Sequence, residues 1–277
     1  MTAVLDMLSS APANGRPGAR VGRRGRLAGW KVLVGRILFA VVALGIWQVI
    51  GGSSKRQEFF ISKPSSIGLA FYHMVQTGIF YTNVRATLDE TLIGFAIGAA
   101  AGILFGFVCA FVPALMAILD PYLNALNALP RIALASLFIL WFGLGTEPKV
   151  VLIISLVFFP LFFNAYQGAT TVDPDHILLM RTFRSNRIQF VKRVILPSSV
   201  PWLVSGAKLG LAQALGGAVI GEIIAAQVGL GAQLNEAATS FDTSREFATL
   251  VALSIIAMCL NAAMAFAEKR ASDWRAV

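Results

Sequence analysis

Residues 91–119 read TLIGFAIGAAAGILFGFVCAFVPALMAIL, without one Asp, Glu, Lys or Arg. A helix rises 1.5 Å per residue, so about 20 apolar residues cross a hydrocarbon core about 30 Å thick. A single Lys, Arg or Asp at the centre of such a helix costs about 2.5–3.5 kcal/mol on insertion scales. A long charge-free run is therefore the mark of a membrane span. Residues 37–54, 150–172 and 247–267 share it. Two further apolar stretches hold internal charges, 122–142 with Arg131 and 203–226 with Lys208 and Glu222. The expected fold is all-α, a polytopic membrane protein with six transmembrane helices near 34–50, 90–111, 122–142, 149–168, 203–226 and 247–267.

Composition agrees with lipid as the solvent. Of 277 residues 57% are hydrophobic and 13% charged, where a soluble domain has about 25% charged. The mean hydropathy is +0.73. This excludes a disordered chain and a soluble enzyme. The formal charge of +9 does not point to nucleic acid, because the cations sit in short segments between apolar runs. Residues 1–31 form a Gly-, Pro- and Arg-rich cytoplasmic tail expected to be disordered, 32–270 the membrane domain, and 271–277 a second cytoplasmic tail. Cys109 and Cys259 both lie in apolar runs and read as small core residues.

Orientation follows from the cations. With both termini inside, fifteen Lys and Arg fall on cytoplasmic segments and six on outer ones, as the positive-inside rule requires. The loop 169–200 is then cytoplasmic. It is basic and longer than a helix connection needs, which suits a docking surface.

Within the spans, Gly94, Gly98, Gly102 and Gly106 repeat every four residues, and Gly206/Gly210 and Gly217/Gly221 repeat the device. Such stripes let helix backbones approach closely. Asp120, Asn124, Asn127 and Arg131 share one helix face, with Pro130 interrupting the ladder. That face is either a polar seam satisfied by neighbouring helices or part of a translocation path. Glu222 has the same two readings, hydrogen-bonded within protein or open to a water-filled route.

No phosphate-binding loop, Gly-x-Ser-x-Gly or His-Glu-x-x-His occurs, and His73 and His176 fall on opposite sides of the expected membrane. We therefore expect no catalytic residue, no metal and no cofactor, and hence not an enzyme.

Five stretches in order, NALPRIALASLFILWFGLG (127–145), FFPLFFN (158–164), GATTVDPD (168–175), VILPSSVP (194–201) and GEIIAAQVGLG (221–231), resemble the permeases of binding-protein-dependent ABC importers. Within these, the chain is similar to the nitrate/sulfonate/taurine-type branch. The likeness covers about residues 60–270. It implies a type I importer permease in the bacterial plasma membrane, working as a homodimer or as paired permeases. The implied partners are ABC ATPase subunits and a periplasmic or lipid-anchored substrate-binding protein. It also implies that 169–200 holds a coupling helix docking on the ATPase, with Asp175, Leu178, Met180, Arg181, Thr182, Phe183, Arg184 and Ser185 as docking residues. The family's Glu-Ala-Ala falls here on Leu178, Leu179 and Met180 and its glycine on Arg184, while Leu196-Pro197 is kept. Asn124, Asn127, Arg131 and Glu222 are the candidate route-lining residues. Glu90, where many sulfonate-type relatives have Arg, together with Gly221-Glu222, looks more like the branch for pyrimidine thiamine precursors and riboflavin. The rival class is a self-contained secondary transporter or channel, which predicts internal repeats and broken helices.

Overall fold

The structure, a computed structural model, describes residues 24–172 and 186–272, and among them every regular element is helical. Two compact units divide at residues 49 and 50. The described part of the first is most of α1 (Arg24–Gly52), which is long and apolar enough to cross a membrane.

The second unit begins at the connection left between the expected first and second spans. This connection folds as α2 (Lys55–Ile61), α3 (Pro64–Gln76) and the first turns of α4 (Ile79–Phe111). Ser54 caps α2 by accepting from the Gln57 amide, and Pro64 opens α3 at a position where its missing N–H costs nothing. The Thr243 hydroxyl donates to the Phe59 carbonyl at 2.5 Å, and the Ser62 and Ser244 hydroxyls meet at 2.9 Å. These bonds pin α2 to the start of α11 (Thr243–Ser272).

The body of the unit is α4, α7 (Glu147–Thr170) and α9 (Leu196–Ala225). The expected glycine stripe makes the contact. A Cβ on Gly94 would lie 2.5 Å from Ile153, on Gly98 3.0 Å from Val157, and on Gly106 2.6 Å from the Phe162 carbonyl oxygen. The register climbs in step, so α4 and α7 are parallel. On α9 the order reverses, Gly206 against Asn164, Gly210 against Leu161 and Gly221 against Lys149, so α9 is antiparallel to both. Ile153, Val157, Leu161, Ala214 and Ala218 form the buried centre.

Parallel α4 and α7 need a crossing that returns the chain to its starting side. α5 (Pro113–Ala128), a 3-10 turn (Arg131–Leu134) and α6 (Ala135–Phe142) supply it, bent by 81°. Met116 and Leu123 pack with Phe162 and Phe159, whereas Ala135 and Phe138 pack with Leu152, so the segment climbs back along α7. The expected straight helix over 122–142 is thus corrected in two ways. It starts earlier, with Pro113 at the first helical position. It also breaks at Leu129, whose backbone is extended because the residue before a proline avoids the helical region. With this pair counted as one crossing, the described residues hold six candidate spans.

The other spans also run past their apolar cores. α4 begins at 79 rather than near 90. The fifth span enters through α8 (Arg187–Phe190) and one π-helical turn (Val191–Ile195) before α9, not at 203. Asn186 starts this helix reciprocally, accepting from the Ile188 amide at 2.7 Å while Gln189 accepts from the Asn186 amide at 3.1 Å. α11 packs on α3 and on α10 (Leu230–Thr239). Lys208, the other internal cation, meets Glu268 of α11 at 2.6 Å. Cys109 is buried as expected, but Cys259 is exposed, because α11 buries little of its surface. Wide apolar exposure along the spans is what a lipid-facing body requires.

Candidate functional site

The expected docking residues Asp175, Leu178, Met180, Arg181, Thr182, Phe183, Arg184 and Ser185 lie outside the described residues. Their flanks are described. α7 ends at Thr170, and Val194 and Ile195, beside the matched Leu196-Pro197, are buried and anchor the start of α9.

The expected route residues separate into two places. Asn124 and Asn127 are exposed on α5. Arg131 sits at the bend and donates to the Asn127 carbonyl at 2.8 Å, to the Asn127 side-chain oxygen, and at 3.4 Å to the Ser155 carbonyl. Its guanidinium lies 4.5 Å from the centre of the Phe159 ring, where the ring quadrupole attracts a cation. Its Nε is buried without a partner.

Glu222 is elsewhere, fully buried near the other end of α9. One carboxyl oxygen accepts from the Thr87 hydroxyl at 2.7 Å and the other from the Gly231 amide at 2.7 Å. The Thr87 oxygen also accepts from the Leu230 amide at 3.0 Å, and Asn83 Oδ1 from the Gly229 amide at 3.0 Å. These are the first amides of α10, which has no side-chain cap of its own. Residues of α4 and α9 satisfy the donors that a helix start leaves open, and a carboxylate there also suits the helix dipole. Gly229 has φ +131°, and a side chain on it would run into the Glu222 carboxyl. The turn therefore needs glycine.

Beside this network, Lys149 at the start of α7 pairs with Glu90 of α4, their side chains 7% and 5% exposed. Glu90 Oε1 takes the lysine, while Oε2 is buried without a partner. Both residues line an open cavity of about 640 Å³, with Leu144, Thr146, Ile224, Val228 and Asn235 among its other walls. Sequence reasoning missed this pair, counting Lys149 as a loop cation. A signal was present: Asn83, Thr87 and Glu90 continue the face of Gly94 and Gly98 backwards along the same helix. Among the described residues, no group of three His, Cys, Asp or Glu could hold a metal ion.

Residues 102–273 match the family described as binding-protein-dependent transport system inner membrane component. The chain belongs to this family. It is 29% identical over 239 residues to the putative aliphatic sulfonates transport permease of Bacillus subtilis, covering 86% of this chain and 87% of the relative. It is 31% identical over 236 residues to the riboflavin transport system permease of Chloroflexus aurantiacus, covering 85% and 88%. In fold it is similar to a chain of the inward-facing methionine ABC transporter MetNI, with a TM-score of 0.63 at 18% identity, covering 71% of this chain and 97% of that one. The protein is thus a multi-pass inner-membrane permease subunit of an ABC importer, which works with ATPase subunits and a substrate-binding protein. The type I permease fold expected from the sequence is the one found.

Proposed function

We propose that this permease imports a small solute, nitrate-, sulfonate- or taurine-like or a pyrimidine- or riboflavin-type heterocycle, as a homodimer with its route between the two copies. Both termini are cytoplasmic. The Lys149 end of the body faces outward and receives solute from a periplasmic or lipid-anchored binding protein. The opposite end presents 169–200 to the ATPase, with Asp175, Leu178, Met180, Arg181, Thr182, Phe183, Arg184 and Ser185 in the contact. The chain itself catalyses nothing, and ATP is hydrolysed on the partner. Asn124, Asn127 and Arg131 line the route, and Glu222 holds the turn that walls it at the outer end.

The observation that carries this reading is the family match, whose bounds, 102 to 273, take in the stretch 169–200. The excess of cations on that stretch and on both tails supports the orientation. ATP moves such a transporter only if the ATPase binds its two states with different affinity, so the docking contact is the place to test. The chain is purified with its ATPase, intact or with 175–185 replaced by a Gly/Ser linker. The expected result is that the ATPase co-purifies with the intact chain and is lost with the linker, at equal permease yield. Undiminished co-purification would remove the loop from the mechanism.

A further inference from the structure

The cavity beside Lys149 and Glu90 has a volume in the range of small-molecule sites, about 300–1,000 Å³. Apolar Leu144, Ile224 and Val228 share its wall with the ion pair. An apolar wall with a few placed polar groups is the usual make-up of such sites. The polar groups here are unusual in two respects. The pair is neutral as a unit, and it is left one bond short, because the Lys149 ammonium goes to Glu90 Oε1 and nothing donates to Oε2. A buried acceptor without a donor carries a desolvation cost that a ligand N–H would remove. The ammonium has three donors and can serve a ligand carbonyl as well.

Building on the reading of this chain as a solute-moving permease, we infer that the cavity is a solute-binding vestibule for uncharged ligands that present a ring N–H beside a carbonyl, a lactam or cyclic-imide edge. The ligand N–H donates to Glu90 Oε2, which turns toward the cavity that Glu90 already lines. The neighbouring carbonyl accepts from Lys149, and the ring lies against the apolar wall. An uncharged ligand leaves the pair in balance. A simple alkyl sulfonate, which carries no amine, brings a second negative charge beside Glu90 and has no N–H for Oε2, so it is disfavoured twice over.

The test uses the full-length chain in lipid nanodiscs, titrated by calorimetry with uracil, riboflavin and ethanesulfonate. At least one imide probe is expected to bind, with ethanesulfonate at least tenfold weaker. Val228→Trp, which adds bulk at an exposed position of the cavity wall, should weaken imide binding at least tenfold. The Glu90→Gln/Lys149→Gln double variant should lose the preference over ethanesulfonate. Ethanesulfonate binding as tight as the imides, no imide binding at all, or full binding by Val228→Trp would each overturn the site. If the double variant fails to fold, Val228→Trp still decides. ATPase co-purification, measured on the same samples, separates the two readings: the ATPase retained without imide binding sinks the vestibule and leaves the importer, and its loss sinks the importer.

Discussion

α7 is held by the α4/α9 pair and by the bent α5–α6 crossing, and the two contacts are built on different principles. Against α4 and α9 it meets glycines, so backbone packs on backbone, and the contact ends in a buried ion pair. Against the crossing it meets larger apolar side chains and one arginine spanning a broken helix. Lipid tails are as apolar as leucine, so burying leucine against leucine gains little between membrane helices. Close approach and polar contacts supply the association instead. The α4/α7/α9 body has both in quantity. The crossing has little of either, which makes it the part of the unit better suited to move against the rest.

The largest expected effect tests the ion pair at the end of the body. Lys149→Met leaves the Glu90 carboxylate buried and uncompensated, at a cost of about 3–5 kcal/mol. The Glu90→Leu/Lys149→Met double variant removes both charges from a site already nine-tenths buried and should recover most of that loss. Thermal denaturation of the wild type, the two single variants and the double variant in detergent gives the full cycle. A double variant as unstable as Lys149→Met would show that the pair does more than balance charge, and would take the body's end out of the comparison.

That pair also marks the limit of what the sequence tells. The spans were legible because charge is expensive in lipid, and the glycine stripe was legible because its spacing is local. Glu90 and Lys149 lie 59 positions apart, and no local pattern pairs them. The first eleven residues of α4 were missed for a related reason. Charge-free runs stop at Glu90, but helical hydrogen bonding does not, and Asn83 and Thr87 before it turn inward onto the start of α10. Pro130 announced a break in the third crossing. The bend of 81° depends on how the two halves pack along α7, and no residue spacing encodes that. Glu222 was legible as a polar residue in a span, but its partners on α4 and α10 came only with the fold.

A middle-sized effect tests the close approach itself. A Cβ on Gly102 would stand 2.5 Å from the Phe158 carbonyl oxygen and 3.1 Å from the Phe162 amide nitrogen. Both are backbone atoms, so α7 itself would have to shift. Gly102→Ala is therefore expected to cost about 1–3 kcal/mol, as other overpacked sites do. Gly216 lies on α9 with nothing within 4 Å of its missing Cβ. There the same substitution should be neutral, or stabilising by up to about 1 kcal/mol through helix propensity. Equal melting temperatures for the two variants would deny that the stripe holds the body.

The smallest effect concerns the crossing. Arg131→Leu removes the bonds to Asn127 and Ser155 and the contact with Phe159. It also relieves a buried Nε that has no partner. The bonds to Asn127 are exposed and the one to Ser155 is long, 3.4 Å, so they contribute little; a cation over an aromatic ring contributes about 0.5–2 kcal/mol and an unmet buried donor costs about 1–3 kcal/mol, so gain and loss nearly offset. Global stability should shift by no more than about 1 kcal/mol. The local effect should be plain, because Arg131 ties Asn127 of α5, before the break, to Ser155 of α7. Hydrogen exchange at residues 124–135 should quicken about tenfold, a local loss of about 1.4 kcal/mol, while α4, α7 and α9 keep their protection. Arg131→Lys, which keeps the charge but not the planar fork, should fall between. If exchange quickened equally along α7, the crossing and the body would be one cooperative unit, and the separation drawn between them would not hold.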